Sequence, residues 1–472
     1  MKHSRPHLLT LLAFLIISFA LYVLLSVVAP VLDGHIGLFM LVWGACFLVY
    51  FGTCIWVMMT NPLAGRRHWL ELGIIFVGAV IFRVMLLHLP LGLSRDAWRY
   101  IWDAKLIVHG FSPYEYAPFD KALISLRDIV FSNCPYRELP TKYPPGAELF
   151  YVLGYLLTPT NLIGLKSLFI LCDLVTCAAI ALLLAYKGRD PRYAIIYAWC
   201  PLPIVEFAIQ GHVDAITITC TVLAVLFAVS SRRWVRLLTG VFIGLAALTK
   251  LYPIILLLLL VRRRDWGLLA ACAVTIVLGY LPFFLLGHGQ ILDGSPLLAV
   301  SSQRDSHIGV IQNELFTWGD YLHISSTIMK VIVQVVDVVL VSTTLLVVLV
   351  QRIRGRMSVE AAVLILTGMV LTVYAHIFPW YATALLPWIA MLAVPIWTKK
   401  GFSARGLAIT MVWYFTCTAI LSYVPGLKQF ATHDNWFIYY DVTFGVVLAG
   451  FVVAAVMSLR PIDKIMKISH SM

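Results

Sequence analysis

The chain has 472 residues, of which 61% are hydrophobic and 12% charged, with a formal net charge of +12. A soluble domain carries about 25% charged residues, so the composition excludes a soluble globular protein and indicates a polytopic membrane protein. The basic excess does not point to nucleic acid, because Lys and Arg sit in short clusters between apolar runs, where membrane topology accounts for them.

About 20 apolar residues take a helix across the hydrocarbon. Runs of that kind cover 8–30, 36–59, 69–89, 163–186, 191–210, 213–230, 266–287, 324–350, 357–377, 379–397, 405–424 and 436–459. The first follows MKHSRPH with no small-residue cleavage site after it, and reads as an uncleaved first helix. Shorter runs lie at 146–158, after YPPG, and at 235–249 and 251–262, on either side of Lys250. Basic clusters around Arg66, Arg189, Arg233, Arg263, Arg354, Lys400 and Lys464 fall on one side of the membrane under two conditions. Run 146–158 must not cross, and the pair around Lys250 must go up and come back. The expected fold is then all-α, with about 12–14 transmembrane helices in a single domain over residues 1–472. Both termini are expected in the cytoplasm. Of nine cysteines, only Cys134 lies in a polar loop and no CxxC occurs, so neither a disulfide framework nor structural zinc is expected.

This topology places the polar features on the outer face. They are the loop 90–145, GHVD at 211–214, TKLYP at 249–253, the loop 288–323, HIFPWY at 376–381 and the loop 425–435. The loop 90–145 opens with SRDAWRYIWDAK. Residues 94–110 read as a short interfacial helix, capped by Ser94 and ended by Gly110. Asp96, Arg99 and Asp103 share one face, and Trp98 and Trp102 another. That pattern suits a helix lying at the membrane surface with an Asp–Arg pair. It equally suits a catalytic carboxylate at the mouth of a membrane cavity.

The motifs D-x-x-R-Y-x-W-D from Asp96, G-x-x-P-Y-x-Y from Gly110 and Y-P-P from Tyr143 resemble the first outer loop of GT-C type membrane glycosyltransferases. The pattern is most similar to bacterial polyprenyl-phosphate-mannose-dependent mannosyltransferases, and more loosely to the first mannosyltransferase of GPI-anchor assembly. G-H-x-D at 211–214, K-x-Y-P at 250–253 and P-W-Y with L-L-P at 379–387 extend the resemblance over roughly residues 75–390. It implies transfer of a hexose, mannose by this likeness, from a polyprenyl-phosphate donor to a glycan, glycolipid or protein acceptor, in an inverting single displacement. It also implies Asp96 as the base. Arg95, Arg99, Lys250, His376 and Tyr381 are candidates for donor phosphate or sugar binding. Asp103, Tyr143, His212 and Asp214 are secondary candidates.

Such chemistry needs a base for the acceptor hydroxyl and positive charge for the departing phosphate. Lys250, between two apolar runs, is costly there unless it reaches water or an anion. Asp96 has no acidic neighbour at i+2, so a strict D-x-D is absent. His212, Asp214 and Asp96 together would suit a divalent cation, and the metal requirement stays open. The expected surroundings are a lipid bilayer, by preference a bacterial inner membrane with the active face outward. A polytopic transporter or lipid-sugar flippase is the alternative reading, although polar groups on one face and the lack of repeated halves fit it less well.

Overall fold

The computed structural model describes residues 4–31, 36–287, 310–373, 377–398, 401–423 and 440–459. The fold is all-α apart from a two-residue hairpin that pairs Trp397–Thr398 with Gly401–Phe402. In chain order come α1 (Ser4–Val28), α2 (Ile36–Met59) and α3 (Arg66–Leu86), then α4 (Asp96–Val108), α5 (Pro145–Leu157) and α6 (Ile163–Tyr186). A bent segment over 191–209 leads to α7 (Asp214–Ala228) and α8 (Arg233–Ala247). Further along come α9 (Trp266–Leu286), α10 (Ser326–Ile353), α11 (Val359–Val373) and α12 (Ala404–Thr418), with shorter helices at Val310–Tyr321 and Val446–Leu459.

Among the described residues, seven helices are long and apolar enough to cross a bilayer: α1, α2, α3, α6, α9, α10, and α12 with its 3-10 extension to Tyr423. The other apolar runs read from the sequence are shorter or broken. Pro191–Ala198 and Pro201–Ile209 meet at 49°. Segments 252–260 and 379–392 each mix 3-10 and α turns around Pro253, Pro379 and Pro387. Proline removes an N–H and clashes with the preceding turn, so these runs cannot continue as straight helices.

Ion pairs show which helix ends lie together. His7 Nε2 is 2.9 Å from Glu71 Oε1, and Arg192 reaches the same oxygen at 2.8 Å and the Thr60 carbonyl at 2.6 Å. Arg189 donates to the Ala393 carbonyl at 2.9 Å, and Lys187 pairs with Glu360 at 2.8 Å. The start of α1, end of α2, start of α3, end of α6 and start of α11 therefore share one end of the bundle. Arg236 and Arg262 gather the start of α8, Leu260 and Asp265, so segment 235–262 rises and returns. Helix α5 begins against Leu248 and ends against Leu165 at the start of α6, and so does not cross.

Inside the bundle, Arg83 pairs with Asp173 and donates to the Ala79 and Ala198 carbonyls at 3.0 and 2.8 Å. Both side chains are fully buried. The pair joins α3, α6 and the bent segment, as a membrane-embedded charge must if it is not to be stranded in lipid. Outward faces carry aliphatic side chains such as Val331, Val338 and Leu346 on α10, as contact with lipid tails requires.

Candidate active site

Helix α4 starts at Asp96, whose amide donates to Ser94 Oγ at 3.2 Å, and it gives way to Gly110 at φ +82°. The helix does not lie bare on a membrane surface. Trp102 is fully buried against Phe131, and α4 packs along α5. Arg99 is turned away from Asp96. Its Nε holds both oxygens of Asp103 at 2.8 and 2.9 Å, and its Nη1 donates to the Tyr136 carbonyl at 2.9 Å. Asp103 is thus a buried partner of Arg99, close to Glu148 and Thr141, which hydrogen-bond each other at 2.7 Å. Arg95 is exposed. Neither arginine neutralises Asp96 by an ion pair in this structure.

The bent segment brings a second group. A π-helical turn over Ile204–Ile209 precedes Gln210, Gly211 and His212, and α7 begins at Asp214. A π-turn widens a helix and re-aims the residues beyond it. Gly211 has φ +68°, and a Cβ there would stand 3.3 Å from Ala97 Cβ and 3.2 Å from Lys166 Cγ. Only glycine combines that backbone with so close an approach to α4. His212 is fully buried and stacks on Trp380, 3.8 Å between ring centroids, while Trp380 stacks on Phe378. Its Nδ1 lies 2.8 Å from Glu206 Oε2 but out of line for a hydrogen bond, and Nε2 has no hydrogen-bond partner among the described residues.

Lys250 enters from the turn after α8. Its Nζ donates to Asp214 Oδ1 at 2.7 Å and lies 4.0 Å from the centre of the Tyr381 ring. Thr217 and Thr249 hydroxyls, 2.8 Å apart, fasten this turn to α7. Gly146 fastens it to α5, because a Cβ there would meet Leu248 Cβ at 2.6 Å. A small cavity opens beside the ion pair, with Tyr252, Thr367, Leu371 and Tyr381 among its walls. Tyr143 meets the buried Tyr100 hydroxyl at 2.9 Å.

Electrostatics link these arms. Burial raises the Asp96 carboxyl above the usual range, opposed by the charge of Lys250, while Asp214 pushes it further up. Burial brings His212 down to about 4 against the pull of Asp96 and Asp214. Burial also lowers Lys250, countered chiefly by Asp214.

The fold thus assembles Asp96, His212, Asp214, Lys250, Tyr381 and Tyr143 at one end of the bundle. Arg99 and Asp103 face a separate buried network, and Arg95 faces out. His376 lies outside the described residues, as does most of the loop 288–323. Among the described residues, no three His, Cys, Asp or Glu side chains group as metal ligands. Sequence reasoning missed Gln210, Glu206 and Lys166. The signal available was polarity inside apolar runs, which marks a functional or tightly partnered residue by default.

No solved structure matches the chain. Residues 141–375 match the model of glycosyltransferase family 87. The match takes in Tyr143, His212, Asp214 and Lys250, and leaves out Asp96 and Tyr381. The chain is therefore a polytopic membrane protein that carries a glycosyltransferase family 87 domain.

Proposed function

We propose that the protein transfers a hexose, by its resemblance mannose, from a polyprenyl-phosphate carrier to an acceptor hydroxyl at the outer face of a bacterial inner membrane. The observation that carries this reading is the meeting of Asp96, His212, Asp214 and Lys250 at one end of the bundle. A raised carboxyl is a better base near neutral pH than an ordinary aspartate. Asp96 takes the acceptor proton as the hydroxyl attacks the anomeric carbon, and the carrier phosphate leaves with inversion. Lys250 supplies positive charge for that phosphate, with Tyr381 beneath it. His212 and Asp214 orient sugar hydroxyls, and Tyr143 shapes the loop end.

The test is sugar transfer from radiolabelled polyprenyl-phosphate mannose to a membrane extract, by purified wild type beside Asp96→Asn, with and without EDTA. Transfer by the wild type alone supports donor and base together. Equal transfer by both discards Asp96 as the base, and loss on EDTA that Mg²⁺ restores assigns the cation. No transfer by either from this carrier counts against the mannose donor.

A further inference from the structure

We infer that Gln210 and Lys166 are positioning residues that clamp the segment delivering Asp96. The inference rests on the glycosyl-transfer reading above and extends it to side chains outside the predicted site. The segment 87–95 joins α3 to α4 and has no regular structure of its own to hold Asp96 in place. Two buried side chains grip it. Gln210 Oε1 accepts from the backbone amides of Leu93 and Ser94 at 3.1 and 3.2 Å. Lys166 Nζ donates to the carbonyls of Leu87 and Leu89 at 2.9 and 2.7 Å. Gln210 is 1% exposed and Lys166 2%, so water is no substitute when either is lost. An unpaired buried amide or carbonyl carries its full desolvation cost.

The clamp also links the two halves of the site. Gln210 is followed by Gly211, which approaches both Ala97 and Lys166, and then by His212 and Asp214. One turn therefore presents His212 and Asp214 while its first side chain holds the chain two residues ahead of Asp96. The two Gln210 hydrogen bonds tie the approach to Asp96 to that turn, and the two from Lys166 tie the same segment to α6. Catalysis by a base depends on such placement, and an error of about 1 Å costs roughly 10²-fold.

Gln210→Met keeps the length and removes the acceptor, whereas Gln210→Glu keeps an acceptor. Gln210→Met should lower kcat about 10- to 100-fold with KM for the donor within about twofold, while Gln210→Glu recovers most of the rate. Lys166→Met, acting on the same segment, should lower kcat in the same way. A second readout needs no substrate. Hydrogen–deuterium exchange over 90–97 should speed up in Gln210→Met, return towards wild type in Gln210→Glu, and stay unchanged over α12 in both. Wild-type kcat in Gln210→Met, or unaltered exchange over 90–97, overturns the clamp. A wild type that transfers no sugar counts against the proposed function instead, and the exchange arm still decides whether Gln210 anchors the segment.

Discussion

Replacing Lys250 by Met separates two roles that its position combines. The ammonium donates to Asp214 and caps the Tyr381 ring. The Lys250 side chain is 15% exposed and that of Asp214 4%, so the pair is nearly dry. Asp214 Oδ2 already has no hydrogen-bond partner among the described residues. Methionine fills a similar volume but leaves the carboxylate with no hydrogen bond among the described residues. Breaking a buried pair from one side costs about 3–5 kcal/mol, and the residual exposure places this case near the lower figure. Losing the cation over Tyr381 adds about 1 kcal/mol. Asp214→Asn in the same chain removes the stranded charge and should return most of the loss. The assay is thermal unfolding in detergent for the wild type, both single variants and the double variant, with transfer measured where all four are folded. Lys250→Met should unfold at the lowest temperature and the double variant near the wild type, while transfer stays lost in both. A double variant with wild-type stability and wild-type transfer reduces Lys250 to the counter-ion of Asp214. An unshifted melting temperature in Lys250→Met refutes the buried pair itself.

Gly211→Ala forces a left-handed backbone on a residue with a Cβ, at about 1–2 kcal/mol, and presses on Ala97; transfer should fall more than stability, and an unaffected kcat would contradict the tight contact. Transfer should rise with pH through the raised value of Asp96. Because that carboxyl binds its proton more tightly folded than unfolded, stability should fall as pH climbs from the ordinary aspartate value to the raised one. Asp96→Asn should abolish that stretch of pH dependence in a melting series, and a retained slope would assign it to another group. His212, held down to about 4, stays neutral over about pH 5–8; His212→Gln should leave the acidic limb of the rate profile in place, and a displaced limb would show that the imidazole titrates there. Arg83→Leu strands Asp173 inside the bundle and should cost about 3–5 kcal/mol, with transfer per folded molecule kept; a drop in that rate would tie the pair to the site.

Motif residues and buried supports differ in how visible they are to a reader of the sequence. Asp96, GHVD and TKLYP stand out because each is polar next to long apolar runs. Their meeting at one end comes from counting helix passes, since the ends of alternate passes must share a face. Arg99 was harder to place. Its i+4 spacing suits Asp103 and its i+3 spacing suits Asp96, and only packing against Tyr136 and α5 settles the choice for Asp103. The pattern puts Trp102 on one face of a surface helix with Trp98, and the structure buries its ring against Phe131. The hydrophobic period shows that a side chain is turned inward and not whether protein or lipid covers it.

The sequence by itself determined that this is an all-α membrane protein, where its chemistry-bearing residues cluster, and that the YPPG run and the pair around Lys250 depart from plain crossings. Composition and the roughly 20-residue length of a bilayer crossing impose those results without reference to any particular contact. Only the tertiary structure decided which charges neutralise each other, that prolines break several of the apolar runs, and that Gln210 and Lys166 hold the approach to Asp96. The clamp depends on hydrogen bonds between residues more than seventy positions apart, whose direction and distance no local pattern specifies.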